Sequence, residues 1–164
     1  RKLKSKKKNL LTIIIPRHIN RKYEIINNLN QIGLKTELHS TSKKLKKNTD
    51  IYLVDTYGEA NKFYELSKIT FLGGSLISHG GQNPLEAARE GNYIIHGPNI
   101  DNFKEVYELL KKLKIATKVN TVKKMNNIVL KKINYKQQKI VNKRLNYEGI
   151  KILNKNLHDI NNYI

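Results

Sequence analysis

The sequence predicts an α/β fold: a parallel sheet of about six strands with helices on both faces, finished by helices at the C-terminal end. Three observations carry this. Short β-branched, apolar runs alternate with longer segments at helical spacing, the connections are short, and the unusual residues gather where the runs end. Strands enclosed by crossover helices read as unbroken apolar runs because both of their faces are buried.

Residues 11–15 form the first strand, stopped by Pro16, which cannot donate to a ladder. From Arg21 to about Ile32, Tyr23, Ile26, Leu29 and Ile32 recur at helical spacing, and Gly33 is placed to end that helix in a left-handed cap. Residues 34–39 are a second strand, 40–48 a polar, lysine-rich loop, and 50–54 a third strand. Thr56-Tyr57-Gly58-Glu59 has the spacing of a capping box, which starts the next helix at Thr56 and carries it through Phe63 and Leu66. A fourth strand at 69–72 runs into Gly73-Gly74.

Asn83-Pro84-Leu85-Glu86 opens another helix. Asn83 caps it, Pro84 takes the first helical position where its missing N–H costs nothing, and Glu86 can reach back three residues. Gly91 ends it. A fifth strand at 93–96, a helix from Asn102 to about Leu113, a sixth strand at 115–119 and two lysine-rich helices, about 122–133 and 135–153, complete the chain. The alternation is Rossmann-like, and in such sheets ligands bind beyond the carboxyl ends of the strands. Pro16-Arg17-His18, Thr56-Tyr57-Gly58-Glu59, Gly73-Gly74-Ser75, His79-Gly80-Gly81 and Gly97-Pro98 all fall there.

At 164 residues the chain is the size of one domain, expected over residues 11–164 with the C-terminal helices from about 121. Residues 1–10, dense in lysine, read as a solvated linker from a preceding domain. Lys and Arg number 32 against 13 Asp and Glu, and the net charge of +19 draws phosphates or anionic lipid surfaces. An AT-biased genome produces the same richness in Lys, Asn, Ile and Tyr, so the charge alone names no partner. The basic residues are spread over both ends and several helices without interleaved aromatics, which argues against a nucleic-acid-binding module. The absence of Cys excludes a disulfide framework and a thiolate metal site, and fits a reducing compartment. The longest apolar run, residues 10–16, is too short for a bilayer and no cleavable leader precedes it, so the segment is expected to be soluble by itself.

The most informative stretch is Gly73-Gly74-Ser75-Leu76-Ile77-Ser78-His79-Gly80-Gly81-Gln82-Asn83-Pro84-Leu85-Glu86. Two glycine pairs bracket a loop that feeds a helix N-terminus, where unpaired N–H groups and the helix dipole favour a phosphate. Without Cβ atoms, Gly80 and Gly81 let an anion approach the backbone. The Glu86 carboxylate has two readings of equal weight from spacing: completing the capping box, or accepting hydrogen bonds from ribose hydroxyls.

This loop resembles the H-G-G-H-N-P-L-E signature of the 3-deoxy-D-manno-octulosonic acid (Kdo) transferases, preceded by their G-G-S. Ile15-Pro16-Arg17-His18 is similar to the family's V-P-R-H, Val54-Asp55-Thr56-Tyr57-Gly58-Glu59 to its D-T-x-G-E, and His96-Gly97-Pro98 with Asn102-Phe103 to its G-P…N-F. These blocks keep the family's order from residue 11 to about 119. The resemblance implies the C-terminal half of a GT-B glycosyltransferase, binding CMP-Kdo as donor and passing Kdo to a lipid A precursor in an inverting reaction that needs no metal or cofactor. It places the catalytic base and most acceptor contacts in an N-terminal domain, so no catalytic residue is expected in this chain, which alone should bind donor without turning it over.

Carried over by motif, Pro16 and Arg17 contact the CMP phosphate region, where a guanidinium fork matches phosphate oxygens. Tyr57, Gly58 and Glu59 line the nucleotide through backbone groups, while Asn83, Pro84, Leu85 and Glu86 hold ribose and phosphate, with Gly80 and Gly81 as a phosphate loop. Gln82 stands where the family has His, and Glu90 where it tends to have a small or apolar residue. His18 and His79 match the motifs but receive no role. The whole protein is expected at the cytoplasmic face of a bacterial inner membrane, with the lysine-rich end after Asn120 attracted to anionic lipid. Three other readings remain from sequence: a GT-B transferase or epimerase using a UDP-sugar, more remotely the basic nucleic-acid module, and a degenerate domain whose site no longer binds anything.

Overall fold

The structure, a computed structural model, describes residues 2–42, 44–78, 80–136 and 139–161. The chain divides into two compact units, Arg1–Phe63 and Tyr64–Ile164, with the boundary inside one helix. Each unit is built on its own all-parallel three-stranded sheet, so the six strands predicted from sequence are present as two ladders of three.

In the first unit β1 (Thr12–Ile14), β2 (Thr36–Leu38) and β3 (Ile51–Leu53) lie in the order β1-β3-β2. The central strand, paired on both edges, buries Ile51 and Leu53, whereas no residue of the outer two is fully buried. Helix α1 (Lys2–Lys6) occupies the stretch expected as a solvated linker. No apolar periodicity announces it. Its Lys4 Nζ reaches the Asp50 carboxylate at 3.0 Å and the carbonyls of Leu10 and Thr49, so one lysine is anchored while its neighbours are solvated. Helix α2 (Lys22–Gln31) follows a 3-10 turn at Ile19–Arg21, and Gly33 takes the expected left-handed conformation, φ +68°.

The helix expected to open at Thr56 instead begins four residues later, as α3 (Ala60–Leu66). Gly58 has φ +80°, outside the right-handed helical region, and the Thr56 hydroxyl donates to the Glu59 carboxylate rather than capping backbone N–H groups.

In the second unit β4 (Ile69–Leu72), β5 (Tyr93–His96) and β6 (Ala116–Lys118) lie in the order β4-β5-β6, and all four residues of β5 are buried. The two-residue period of the strand splits the core. Ile94, with Leu72 and Ala116, packs on Ala87 and Ala88 of α4 (Leu85–Arg89), on Tyr107 and Leu110 of α5 (Lys104–Lys112) and on Leu145 of α7 (Lys139–Asn161). Tyr93 and Ile95 turn the other way, with Val119, against Met125, Ile128 and Val129 of α6 (Val122–Lys132). Helices thus cover both faces, and each fully buried Ile or Leu contributes about 2 kcal/mol of transfer free energy.

Helix ends follow local chemistry. Asn83 Oδ1 accepts the Leu85 N–H at 3.0 Å with Pro84 already right-handed, so Asn83 caps α4 as predicted, and Gly91 closes it at φ +85°. With only five residues, α4 sums few peptide dipoles, and its pull on an anion is weaker than a long helix would give. Helix α5 does not start at Asn102: a 3-10 turn at Asp101–Phe103 precedes it, and the Asn102 amide packs over Gly80. The last helix begins at Lys139 and reaches Asn161, later at both ends than its apolar spacing predicted.

Candidate functional site

Because β1 and β3 are parallel neighbours, their carboxyl ends lie side by side, and Val54 N–H continues the ladder to Ile14 O at 2.9 Å. Two predicted blocks leave these ends. Pro16-Arg17-His18 follows β1; Arg17 is exposed, and no hydrogen bond or ion pair holds its guanidinium among the described residues. Asp55-Thr56-Tyr57-Gly58-Glu59 follows β3 and is held at both flanks.

The grip comes from the neighbouring end of β2. The Asp55 side chain is buried, and it accepts Ser40 N–H at 2.9 Å, Ser40 Oγ–H at 2.7 Å and Lys22 Nζ at 3.1 Å. Burial drives the Asp55 pKa up, but the Ser40 hydrogen bonds and Lys22 together outweigh it and leave it below the ordinary carboxylate value. At the other flank His39 Nε2 lies 3.0 Å from Glu59 Oε2, which also accepts from Thr56, while Lys62 Nζ reaches Oε1 at 3.2 Å. The Thr56 and Lys62 hydrogen bonds hold the Glu59 pKa below its ordinary value. Between the two clamps Tyr57 is 68 % exposed, and a Cβ at Gly58 would meet nothing within 4 Å. The bend presents open backbone on a fixed base.

In the second unit the carboxyl ends of β4 and β5 are adjacent, and Ser75 joins them. Its buried hydroxyl donates to Leu72 O at 2.6 Å and accepts Gly97 N–H at 2.8 Å, while its carbonyl accepts Asn99 N–H at 2.9 Å. His96 is buried against the Tyr107 ring, 4.4 Å between centroids, with Nδ1 2.7 Å from Gly97 O; burial lowers its pKa. A carbonyl accepts only, so Nδ1 carries the proton. Tyr107 O–H donates to Gln82 O at 2.9 Å and fixes the loop entering α4.

The predicted loop residues have distinct surroundings. A Cβ on Gly80 would lie 2.7 Å from Asn102 Nδ2, and one on Gly81 would lie 3.3 Å from Tyr107 Oη and from Ile100, so the protein's own atoms use the room these glycines leave. Pro84 is buried, Leu85 half-buried, and Asn83 and Glu86 are exposed. No hydrogen bond engages the Glu86 carboxylate among the described residues, so of its two readings the capping box is not formed. A polar cleft of about 440 Å³ lined by Ser78, Gly80, Asn99, Asp101 and Asn102 opens beside this loop. His79 lies outside the described residues.

The predicted residues therefore form two groups, each coherent within its own unit: Pro16, Arg17, Tyr57, Gly58 and Glu59 at one sheet end, and Gly80, Gly81, Asn83, Pro84, Leu85 and Glu86 around another loop. Sequence reasoning missed the supporting shell of His39, Ser40, Ser75, His96 and Tyr107. Two of them carried a signal, Ser75 by its place in Gly73-Gly74-Ser75 and His96 by its place in His96-Gly97-Pro98. Among the described residues no group of three His, Asp or Glu side chains could hold a metal ion, and no helix is long and apolar enough to cross a membrane.

No protein-family model matches the chain. It is 35 % identical over 121 residues to the 3-deoxy-D-manno-octulosonic acid transferase of Haemophilus influenzae, covering 74 % of this chain and 28 % of that protein. The Rickettsia prowazekii protein of the same name is 34 % identical over 122 residues, covering 74 % and 26 %. The chain thus spans a little over a quarter of the length of these relatives. Among solved structures it is similar to the C-terminal CMP-Kdo binding domain of WaaA from Acinetobacter baumannii, with a TM-score of 0.75 and 25 % identity over 92 % of this chain and 77 % of that one.

Proposed function

We propose that this chain, a C-terminal domain of the Kdo transferase family, binds CMP-Kdo and serves as the donor half of an inverting glycosyltransferase that moves Kdo to a lipid A precursor. The observation that carries the proposal is the pairing, at adjacent strand ends, of an Arg17 guanidinium unengaged among the described residues with the clamped, open bend at residues 56–59. An engaged arginine would have to give up a partner before taking a phosphate; this one does not.

In this reading the Arg17 fork takes two phosphate oxygens of CMP, with Pro16 setting the loop direction. The backbone of Tyr57, Gly58 and Glu59 lines the nucleotide, the Glu59 carboxylate itself being occupied by His39, Thr56 and Lys62. Within the second unit, the ribose role carried over by motif falls to Asn83, Pro84, Leu85 and Glu86, whose carboxylate no hydrogen bond engages among the described residues. Gly80 and Gly81 enter through backbone N–H groups.

The chemistry follows from the donor. An acceptor hydroxyl attacks the anomeric carbon of Kdo from the face opposite CMP; the bond from that carbon to the phosphate oxygen breaks, and CMP leaves with the electron pair. A base in another part of the whole protein takes the hydroxyl proton. The charge growing on the departing phosphate faces Arg17, so the step is assigned no metal or cofactor. The whole protein works at the cytoplasmic face of a bacterial inner membrane, a placement supported by the +19 charge of this chain, which favours an anionic lipid surface.

Calorimetric titration of CMP and of UDP into the chain tests the proposal. CMP should bind and UDP should bind far more weakly; binding of UDP without CMP would overturn it in favour of a UDP-sugar enzyme. A crystal soaked in CMP should show density against Arg17 and the 56–59 bend, and density elsewhere would remove both from the site.

A further inference from the structure

His39 directly follows β2 in a place no motif marks. Its backbone N–H donates to Leu53 O at 2.9 Å, so the ladder fixes its main chain. The imidazole meets Phe63 and Tyr52 edge to face, with centroids 5.3 Å and 5.6 Å away, which fixes the ring plane. One ring nitrogen then lies 2.9 Å from Tyr52 Oη and the other 3.0 Å from Glu59 Oε2. A carboxylate accepts only, so Nε2 donates to Glu59, and in the neutral ring Nδ1 accepts from the tyrosine hydroxyl. The result is a directed chain from Tyr52 through His39 to Glu59.

Glu59 passes this constraint on. The oxygen that takes the imidazole N–H also takes the Thr56 hydroxyl, so the first and last residues of the 56–59 bend are tied together through one carboxylate oxygen. Gly58 at φ +80° with open space around it has no packing of its own to hold it, and Tyr57 is exposed. The bend keeps its shape through its two ends. We propose that His39 is a positioning residue for the donor nucleotide: by bridging Tyr52 and Glu59 it holds the bend so that the backbone of Tyr57 and Gly58 faces the ligand already ordered. Binding then costs no loop ordering, the usual source of affinity in a preorganised site.

The inference rests on the CMP reading for its ligand, and two measurements separate them. In the chain without nucleotide, the backbone NMR order parameters of Tyr57 and Gly58 should fall in His39→Leu and stay near native in His39→Gln, whose side-chain amide still donates. Unchanged order parameters in His39→Leu overturn the inference whether or not CMP binds. In calorimetry His39→Leu should lose about tenfold in CMP affinity, the scale of a hydrogen bond to a charged group, with His39→Gln within about threefold of native. Leu53→Val, a core change in the next strand, should keep native affinity; if it weakens CMP as much as His39→Leu, the effect is general loosening and His39 has no positioning role. Native protein that fails to bind CMP overturns the functional reading, while the order parameters still decide the role of His39.

Discussion

A Cβ placed on Gly97 would lie 2.1 Å from the carbonyl oxygen of Ser75, so the loops that leave β4 and β5 meet backbone against backbone. No side chain, however small, fits between them. Gly97→Ala should therefore cost about 3 kcal/mol or unfold the second unit, as overpacking against a main chain does. Ser75→Ala keeps the contact but leaves the Gly97 N–H buried without its acceptor, for a loss of about 2 kcal/mol. Urea unfolding of both variants checks the order. A Gly97→Ala protein as stable as the native one would show that the loops are not in contact.

His96 gives the second unit a pH dependence with a definite sign. Burial holds its folded-state pKa below the ordinary histidine value of 6.5, so the unfolded chain binds a proton first as pH falls. Stability from the neutral ring is complete above that value and declines as pH drops through it towards the lower folded pKa. The midpoint of urea unfolding should fall between pH 7.5 and 5.5, and His96→Gln should flatten that slope. An equal slope in the variant would assign it to another group.

Arg17→Ala separates binding from folding. The side chain is exposed and engaged by nothing among the described residues, so unfolding free energy should change by no more than about 0.5 kcal/mol. CMP affinity should fall by about tenfold or more, because a bidentate phosphate contact is lost. Calorimetry and a thermal melt on one preparation suffice.

Asp55 behaves in the opposite way. It lies under the bend and accepts from Ser40 twice and from Lys22 once, so Asp55→Ala strands two donors and a partly buried cation. The expected loss is about 3 kcal/mol, the scale of breaking a buried pair from one side. Denaturant unfolding reads it directly, and a loss within measurement error would mean that the bend is held by Glu59 alone.

How much of this was legible in the sequence depends on the range of the interaction. Strands β4 and β5 could be bounded to the residue, because each is a compact run with turn residues on both sides. Gly33 and Gly91 announced left-handed helix ends for a local steric reason, and Asn83 its cap. The 56–59 bend was misread as a helix start because two local options share one pattern: a threonine three residues before a glutamate can cap a backbone or bond the glutamate itself. Helix α1 was invisible since its anchor, Asp50, lies 46 residues from Lys4. His39 and His96 read as the last residues of predicted strands; their roles come from Tyr52, Phe63 and Tyr107, which only the folded sheets bring near.

The chain has no tryptophan, and Tyr57 stands in solvent at the tip of a bend secured from below. An indole introduced by Tyr57→Trp would therefore be the sole such fluorophore, mounted where the backbone is already fixed and the ring has room. Its emission would report the arrival of a nucleobase optically, without a label, and at concentrations too low for heat to be measured.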